Sequence, residues 1–344
     1  MNITSIYKAF TVILIIATFI LTAHIILSAP LPLGSDTYFH LKLADFYAHG
    51  QLNEAWNLTF SAIHYFYPPA FHILISPIAL TSNPYLCLRI LEAIFLPLTY
   101  TAALYLINKH HSPKAAFITG LTLLASWSFI DGALQCRPES LDLLLYPIIT
   151  LAILESRKKL AGFSAALMVW SHGFASLSYL AGFFLYKFKD KAWRKTLIAT
   201  AAAITPILIL SALYFGGALE MWGGVSPNDN PQEYLFWNNP YPWIFYYMGL
   251  TIAGIPFLFH KNKTPLETIF TYTIIGNLAM LPFWADRYLH YIAIPLAGLL
   301  GIGLSRWHGW RLYIALAALS VGCAVYISIY LLISINGTWW QPGQ

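Results

Sequence analysis

The chain is 344 residues long, 58% hydrophobic and only 10% charged, with a net charge of +5 and a mean hydropathy of +0.62. Ordinary soluble domains are roughly a quarter charged, so a water-soluble globule is excluded and lipid is the solvent for most of the surface. The basic residues cluster in short loops, where they report topology, so no nucleic-acid partner is expected.

Apolar runs long enough to span a bilayer of about 30 Å recur along the chain, and an all-α, polytopic transmembrane bundle is expected. It is read as one domain, 1–344, with about eleven crossings. These lie near 7–28, 85–107, 114–131, 140–155, 160–171, 173–186, 196–215, 241–259, 265–285, 287–305 and 311–334. The first run is too long for a signal-peptide core and has no small-residue cleavage site before Pro30, so it is read as a retained helix. Residues 66–80 are apolar but short and hold Pro68, Pro69 and Pro77, which suits a juxtamembrane or re-entrant helix within a first outer loop, 29–84. The basic ends at Lys159 and Lys187 enclose too few residues for two ordinary helices, so that stretch is read as a hairpin of short helices turning at Ser171-His172-Gly173. A second outer loop, rich in Gly and Pro, covers 216–240. Cys87, Cys136 and Cys323 have neither metal-type spacing nor a partner pattern and read as inert thiols.

The basic residues set the orientation. Lys8, Lys109, Lys114, Arg157-Lys158-Lys159, Lys187, Lys261, Lys263, Arg306 and Arg311 fall on one side if the N-terminus is cytoplasmic in a multi-pass cell-membrane protein. Most acids then gather on the non-cytoplasmic side, among them Asp36, Asp45, Asp131, Glu139, Asp142 and Asp286. Acids contribute little to topology, so this bias asks for a functional reason.

Three constellations offer one. Asp36 stands next to the membrane boundary with His40 one helical turn on, a pair suited to general-base chemistry or a divalent cation; a capped helix running through Tyr47 explains the same residues. Asp131, Arg137 and Glu139 form a second polar loop, where Pro138-Glu139-Ser140 also reads as a helix start with its acid at the positive dipole end. His172 is a polar side chain in an apolar hairpin, suited to touching a sugar or phosphate or to a structural role. His64 and His72 read as interfacial side chains.

Gly34-Ser35-Asp36-Thr37-Tyr38-Phe39-His40-Leu41-Lys42 followed by Ala48-His49-Gly50 resembles the first-loop signature of GT-C superfamily glycosyltransferases, most of all the catalytic subunits of oligosaccharyltransferases. Tyr67-Pro68-Pro69-Ala70-Phe71-His72 is similar to the double-proline segment that follows that loop, and Trp170-Ser171-His172-Gly173 to a recurrent pair of short helices. Asp286-Arg287-Tyr288-Leu289 resembles the late helix whose arginine faces a lipid-linked phosphate. Lys42 departs from the usual arginine, and the chain ends soon after its last helix, so the soluble C-terminal domain of oligosaccharyltransferases is not expected.

The resemblance implies a membrane glycosyltransferase of the inverting type, moving a sugar from a polyprenyl-phosphate-linked donor to an acceptor on the non-cytoplasmic face. In it Asp36 is the catalytic base or a metal ligand, while Arg287, His40, His172, Tyr38 and Lys42 contact substrate. Asp131 and Glu139 take the place of the second acidic motif, and with Asp36 they are the candidate ligands of a divalent cation, magnesium or manganese. Arg287 also admits an ion pair with Asp286 or a snorkelling side chain. A polytopic transporter, or a non-catalytic lipid-binding relative of the same fold, is the rival expectation.

Overall fold

The computed structural model describes residues 2–28, 36–63, 67–213, 248–280 and 285–335, and within them not the side chains of 28, 36, 60–63, 285–288 and 330–335. The loop 216–240, His64, and the side chains of Asp36, Asp286 and Arg287 therefore lie outside the description. Among the described residues every regular element is a helix.

The chain opens with α1 (Ile3–Ser28), then α2 (Asp36–Ala48), α3 (Leu52–Ile63) and α4 (Ala70–Ala79). Next come α5 (Pro84–His110), α6 (Pro113–Leu124), α7 (Trp127–Leu134), α8 (Pro138–Leu154), α9 (Lys158–His172), α10 (Phe174–Tyr179) and α11 (Ala181–Lys187). The last are α12 (Arg194–Leu213), a 3-10 segment Gly249–Phe259, α13 (Pro265–Met280), α14 (Ala285–Ser305) and α15 (Trp310–Ile335).

Local chemistry starts several of these helices. Asn83 accepts from the Leu86 N–H at 3.1 Å and Ser112 from the Ala115 N–H at 3.1 Å, each followed by a proline at the first helical position, where its missing donor costs nothing. Burial sorts them into an inner and an outer set. α8 and α14 are enclosed by their neighbours, whereas α1, α12 and α15 keep large apolar side chains such as Ile13, Ile209 and Ile314 exposed, as lipid-facing helices must. α6 packs closely along α14, and a Cβ at Gly301 would lie 2.7 Å from the Ala115 carbonyl oxygen, so only a glycine admits this approach.

Four described helices are long and apolar enough to cross a membrane, and a fifth span arises if α6 and α7 count as one. Those two, expected as one straight crossing over 114–131, bend by 80° at Ala125-Ser126. The break frees a carbonyl, and the Leu250 N–H of the 3-10 segment donates to Ala125 O at 3.1 Å. α4, with 10 residues, is about 15 Å long and cannot span. The hairpin turns where the sequence expects it: α9 ends at His172 and Gly173 takes φ +64°.

The two ends of the bundle differ in chemistry. At one end the basic loops meet: Lys109 pairs with Glu155, Arg306 Nη2 with both Glu267 oxygens at 2.8 Å, Lys187 with Asp190 at 3.4 Å, and Lys114 Nζ donates to Trp307 O at 2.7 Å. The starts of α2, α8 and α14 and the α9–α10 turn gather elsewhere, joined by the contacts below.

Candidate active site

The bend after α6 carries α7 inward, so that Asp131 ends up beside the start of α8. Gln135, one turn on, donates to Asp131 Oδ1 at 2.6 Å, and Arg137 Nη2 stands 3.9 Å from Oδ2. His290 Nε2, from α14, is 3.6 Å from the same oxygen. Ser140 Oγ donates to the Gly132 carbonyl at 3.0 Å, which ties the α7–α8 turn shut.

Pro138 occupies the first helical position of α8, and Glu139 and Asp142 follow three residues apart, on one face. His172, last residue of α9, lies between them: Nε2 is 3.5 Å from Glu139 Oε1 and Nδ1 is 3.3 Å from Asp142 Oδ2. Tyr291 of α14 donates to Asp142 Oδ2 at 2.8 Å and also meets His172 Nδ1 in a short hydrogen bond. Ser176 Oγ adds a donor to Asp142 at 2.5 Å. Asp131, Glu139, Asp142, His172, Ser176, His290 and Tyr291 are each at most 5% exposed. Three carboxylates buried this deeply are tolerable only with such cationic and hydrogen-bonding company.

The first loop reaches the same region by another route. A Cβ on Gly173 would meet Pro68 Cγ at 3.3 Å, so the double-proline segment lies against the hairpin turn. His72 Nδ1 is 3.2 Å from the Pro68 carbonyl, and its Nε2 is 2.9 Å from His40 Nδ1. A carbonyl only accepts, so His72 carries its proton on Nδ1, and His40 must donate from its own Nδ1 to His72 Nε2. Burial first, and His40 second, hold His72 well below the usual histidine range, which favours its neutral form. His72 was expected as an interfacial side chain; it is fully buried, because α4 folds back onto α2 and encloses both imidazoles with Phe71 and Tyr67.

Asp36 opens α2 one turn before His40, and Arg287 lies one turn before His290 and Tyr291 on α14. Thus His40, His172, Asp131 and Glu139 are drawn into one connected region whose edges carry Asp36 and Arg287. Lys42 and Tyr38 stand apart from it. Lys42 is exposed, paired with Asp45 at 3.0 Å and set over the Phe46 ring, and Tyr38 packs on Tyr85.

Asp142, Tyr291 and His290 were not singled out from the sequence. The signal was present: Asp142 is three residues from Glu139, and His290 and Tyr291 are three and four from Arg287, which puts each pair on one helix face.

Among the described residues no group of three or more His, Cys, Asp or Glu side chains converges as a metal ion requires. Asp131 faces Gln135, Arg137 and His290, and Glu139 faces His172. Asp36, expected as their third ligand, has its side chain outside the description.

No family model matches the sequence, and no curated protein sequence matches it. Solved structures do. ArnT from Cupriavidus metallidurans bound to undecaprenyl phosphate aligns with a TM-score of 0.54 at 15% identity, covering 95% of this chain and 65% of that one. The apo state of the same protein aligns with a TM-score of 0.54 at 16% identity, covering 95% and 69%. The chain therefore spans about two thirds of the length of these structures, and identity this low establishes the fold alone: an all-α, GT-C-like membrane fold.

Proposed function

We propose, with that GT-C-like fold as the premise, that the protein transfers a glycosyl group from a polyprenyl-phosphate-linked donor to an acceptor on the non-cytoplasmic face of the membrane. The observation that carries the proposal is the convergence of the first loop, the α7–α8 turn, the hairpin turn and the start of α14 on one buried polar region. Each of those segments was identified in the sequence independently of the others.

In this mechanism Asp36, at the edge of the region, removes the proton of the acceptor's nucleophilic group. The nucleophile attacks the anomeric carbon from the face opposite the phosphate, and the bond from that carbon to the phosphate oxygen breaks with inversion. Arg287, a turn before His290 and Tyr291, holds the departing phosphate with its planar fork. His172 contacts the donor's polar head, while the polyprenyl chain lies between helices. ArnT has been captured with undecaprenyl phosphate, which supports a lipid phosphate as the ligand class here.

One feature also suits a transporter: the broken pair α6–α7, since interrupted helices often line transport sites. The same experiment separates the two. Purified protein incubated with a panel of lipid-linked sugars releases free polyprenyl phosphate if it is a transferase. A transporter moves its substrate across a sealed vesicle and releases none.

A further inference from the structure

A cavity of about 260 Å³ opens at the end of the bundle where the basic loops meet, between the ends of α5, α8 and α11 and the start of α13. Its lining combines apolar side chains, Ile153, Leu154 and Leu266, with the polar groups of His110, Ser156 and Lys187. Among the described residues no carboxylate lines it. The volume is several times the roughly 30 Å³ that one water takes up in the liquid, so more than a single solvent molecule fits.

The polar groups are fixed by the fold, yet they keep donors to spare. Lys187, the last residue of α11, has a side chain only 13% exposed, with Nζ 5.0 Å from the Tyr186 ring centre and 4.9 Å from that of Trp193. Its pair with Asp190 is long, 3.4 Å, and uses one of three ammonium hydrogens, while Asp190 Oδ1 is already taken by the Ala192 N–H at 3.0 Å. His110 Nε2 is enclosed and, among the described residues, has no hydrogen-bond partner, although leaving a buried nitrogen unpaired is costly. Ser156 takes φ +57° where α8 is closed by the Arg157 N–H donating to Ala152 O at 2.7 Å. Glycine is the usual residue at such a position, and serine there adds a hydroxyl to the cavity wall.

The charges around the cavity leave it cationic. The two acids next in sequence to the lining face their own partners: Glu155 pairs with Lys109 and with Arg157 at 2.7 Å, and Glu267 binds Arg306 while accepting from the Thr264 N–H at 2.9 Å. α13 begins at the cavity with Pro265 and Leu266, so the positive end of its dipole adds to Lys187. Leu185 and Phe188, close to Lys187 in the chain, are large apolar side chains left exposed, as a boundary with lipid allows.

We propose that this cavity binds a phosphate group, with Lys187 and His110 as its donors. Basic pockets between transmembrane helices take the headgroups of anionic lipids, and exposed Leu185 and Phe188 favour that source. A free phosphate ion would meet the same donors, so the test has an arm for each. None of these residues belongs to the region assigned to glycosyl transfer, and the proposal does not depend on that reading.

In the lipid arm, native mass spectrometry follows full-length protein in detergent as phosphatidylglycerol is titrated in. One lipid should bind most tightly, and its Kd should rise roughly tenfold in Lys187→Gln and severalfold in His110→Phe, since each removes a donor to a charged group. Lys261→Gln, which removes an exposed charge from the same end, should bind like wild type. In the phosphate arm, millimolar inorganic phosphate is added and unfolding temperature is read for the same four proteins. The stated pattern of losses in the lipid arm assigns the site to a lipid headgroup, and the same pattern in the phosphate arm alone assigns it to the free ion. Wild-type-like binding by either cavity variant in both arms, an equal loss in Lys261→Gln, or full competition by neutral phosphatidylcholine overturns the proposal. If Lys187→Gln does not fold, His110→Phe against Lys261→Gln decides by the same criterion.

Discussion

Glu139 and Asp142 share one imidazole deep in the bundle, while Asp36 begins α2 and Arg287 lies in the first turn of α14. If Arg287 holds a lipid-linked phosphate, Arg287→Ala weakens donor binding by about 1.5 to 3 kcal/mol, and Arg287→Lys recovers only part, because an ammonium lacks the planar fork. An arginine that only shapes its loop would leave donor affinity of the folded variant unchanged. The His40–His72 pair gives a pH-dependent signature. His72 is held below its ordinary value of 6.5 in the folded protein, so the unfolded chain binds its proton first as pH falls. The stability owed to neutral His72 is present above about pH 6.5 and is lost as pH falls below it. Unfolding temperature in detergent should therefore drop between about pH 7.5 and about pH 5.5 more in the wild type than in His72→Gln, which keeps a donor and an acceptor but does not titrate. Equal drops would contradict this. Asp36 and His40 were visible in the sequence because a short motif carries them. The burial of His72 was not, because it depends on α4 folding back against α2, which no local pattern announces.

At the scale of elements, the hairpin was legible and the bent pair was not. Basic residues at both ends of 159–187, too close for two full crossings, required a turn, and Ser171-His172-Gly173 supplied the residue types for it. The 80° bend between α6 and α7 leaves no such mark, since the run stays apolar through it and the freed carbonyl is satisfied by a segment more than a hundred residues away. The hairpin turn also bears directly on the site, because His172 immediately precedes it. Gly173 combines φ +64° with ψ −132°, a region that L side chains avoid, and an added Cβ would crowd Ser211 Oγ at 3.0 Å and Pro68. Gly173→Ala should cost roughly 1 to 3 kcal/mol of stability and move His172, so both unfolding temperature and kcat should fall. Loss of neither would mean that the turn tolerates a different backbone and does not set the position of His172.

For the whole molecule, composition alone specified a helical membrane protein, and the fold is all-α and GT-C-like. The number of crossings was harder to read. Inner helices can be short: α8 has 17 residues and is enclosed by its neighbours rather than by lipid. The paired basic loops at one end support a cytoplasmic placement of that end, with Asp36, His172 and Arg287 opposite. Cysteine-accessibility labelling should then place positions 158 and 36 on different sides of the membrane; the same side for both would remove the basis for chemistry on the outer face. The most direct test of the transferase reading is release of polyprenyl phosphate from a lipid-linked sugar by wild type, Asp36→Asn and Asp45→Asn side by side. Asp45 already pairs with Lys42 and His49 on an exposed surface, where such pairs contribute little. Release should be lost in Asp36→Asn and nearly unchanged in Asp45→Asn, whereas equal losses at the two positions, or undiminished release without the Asp36 carboxylate, would contradict the account.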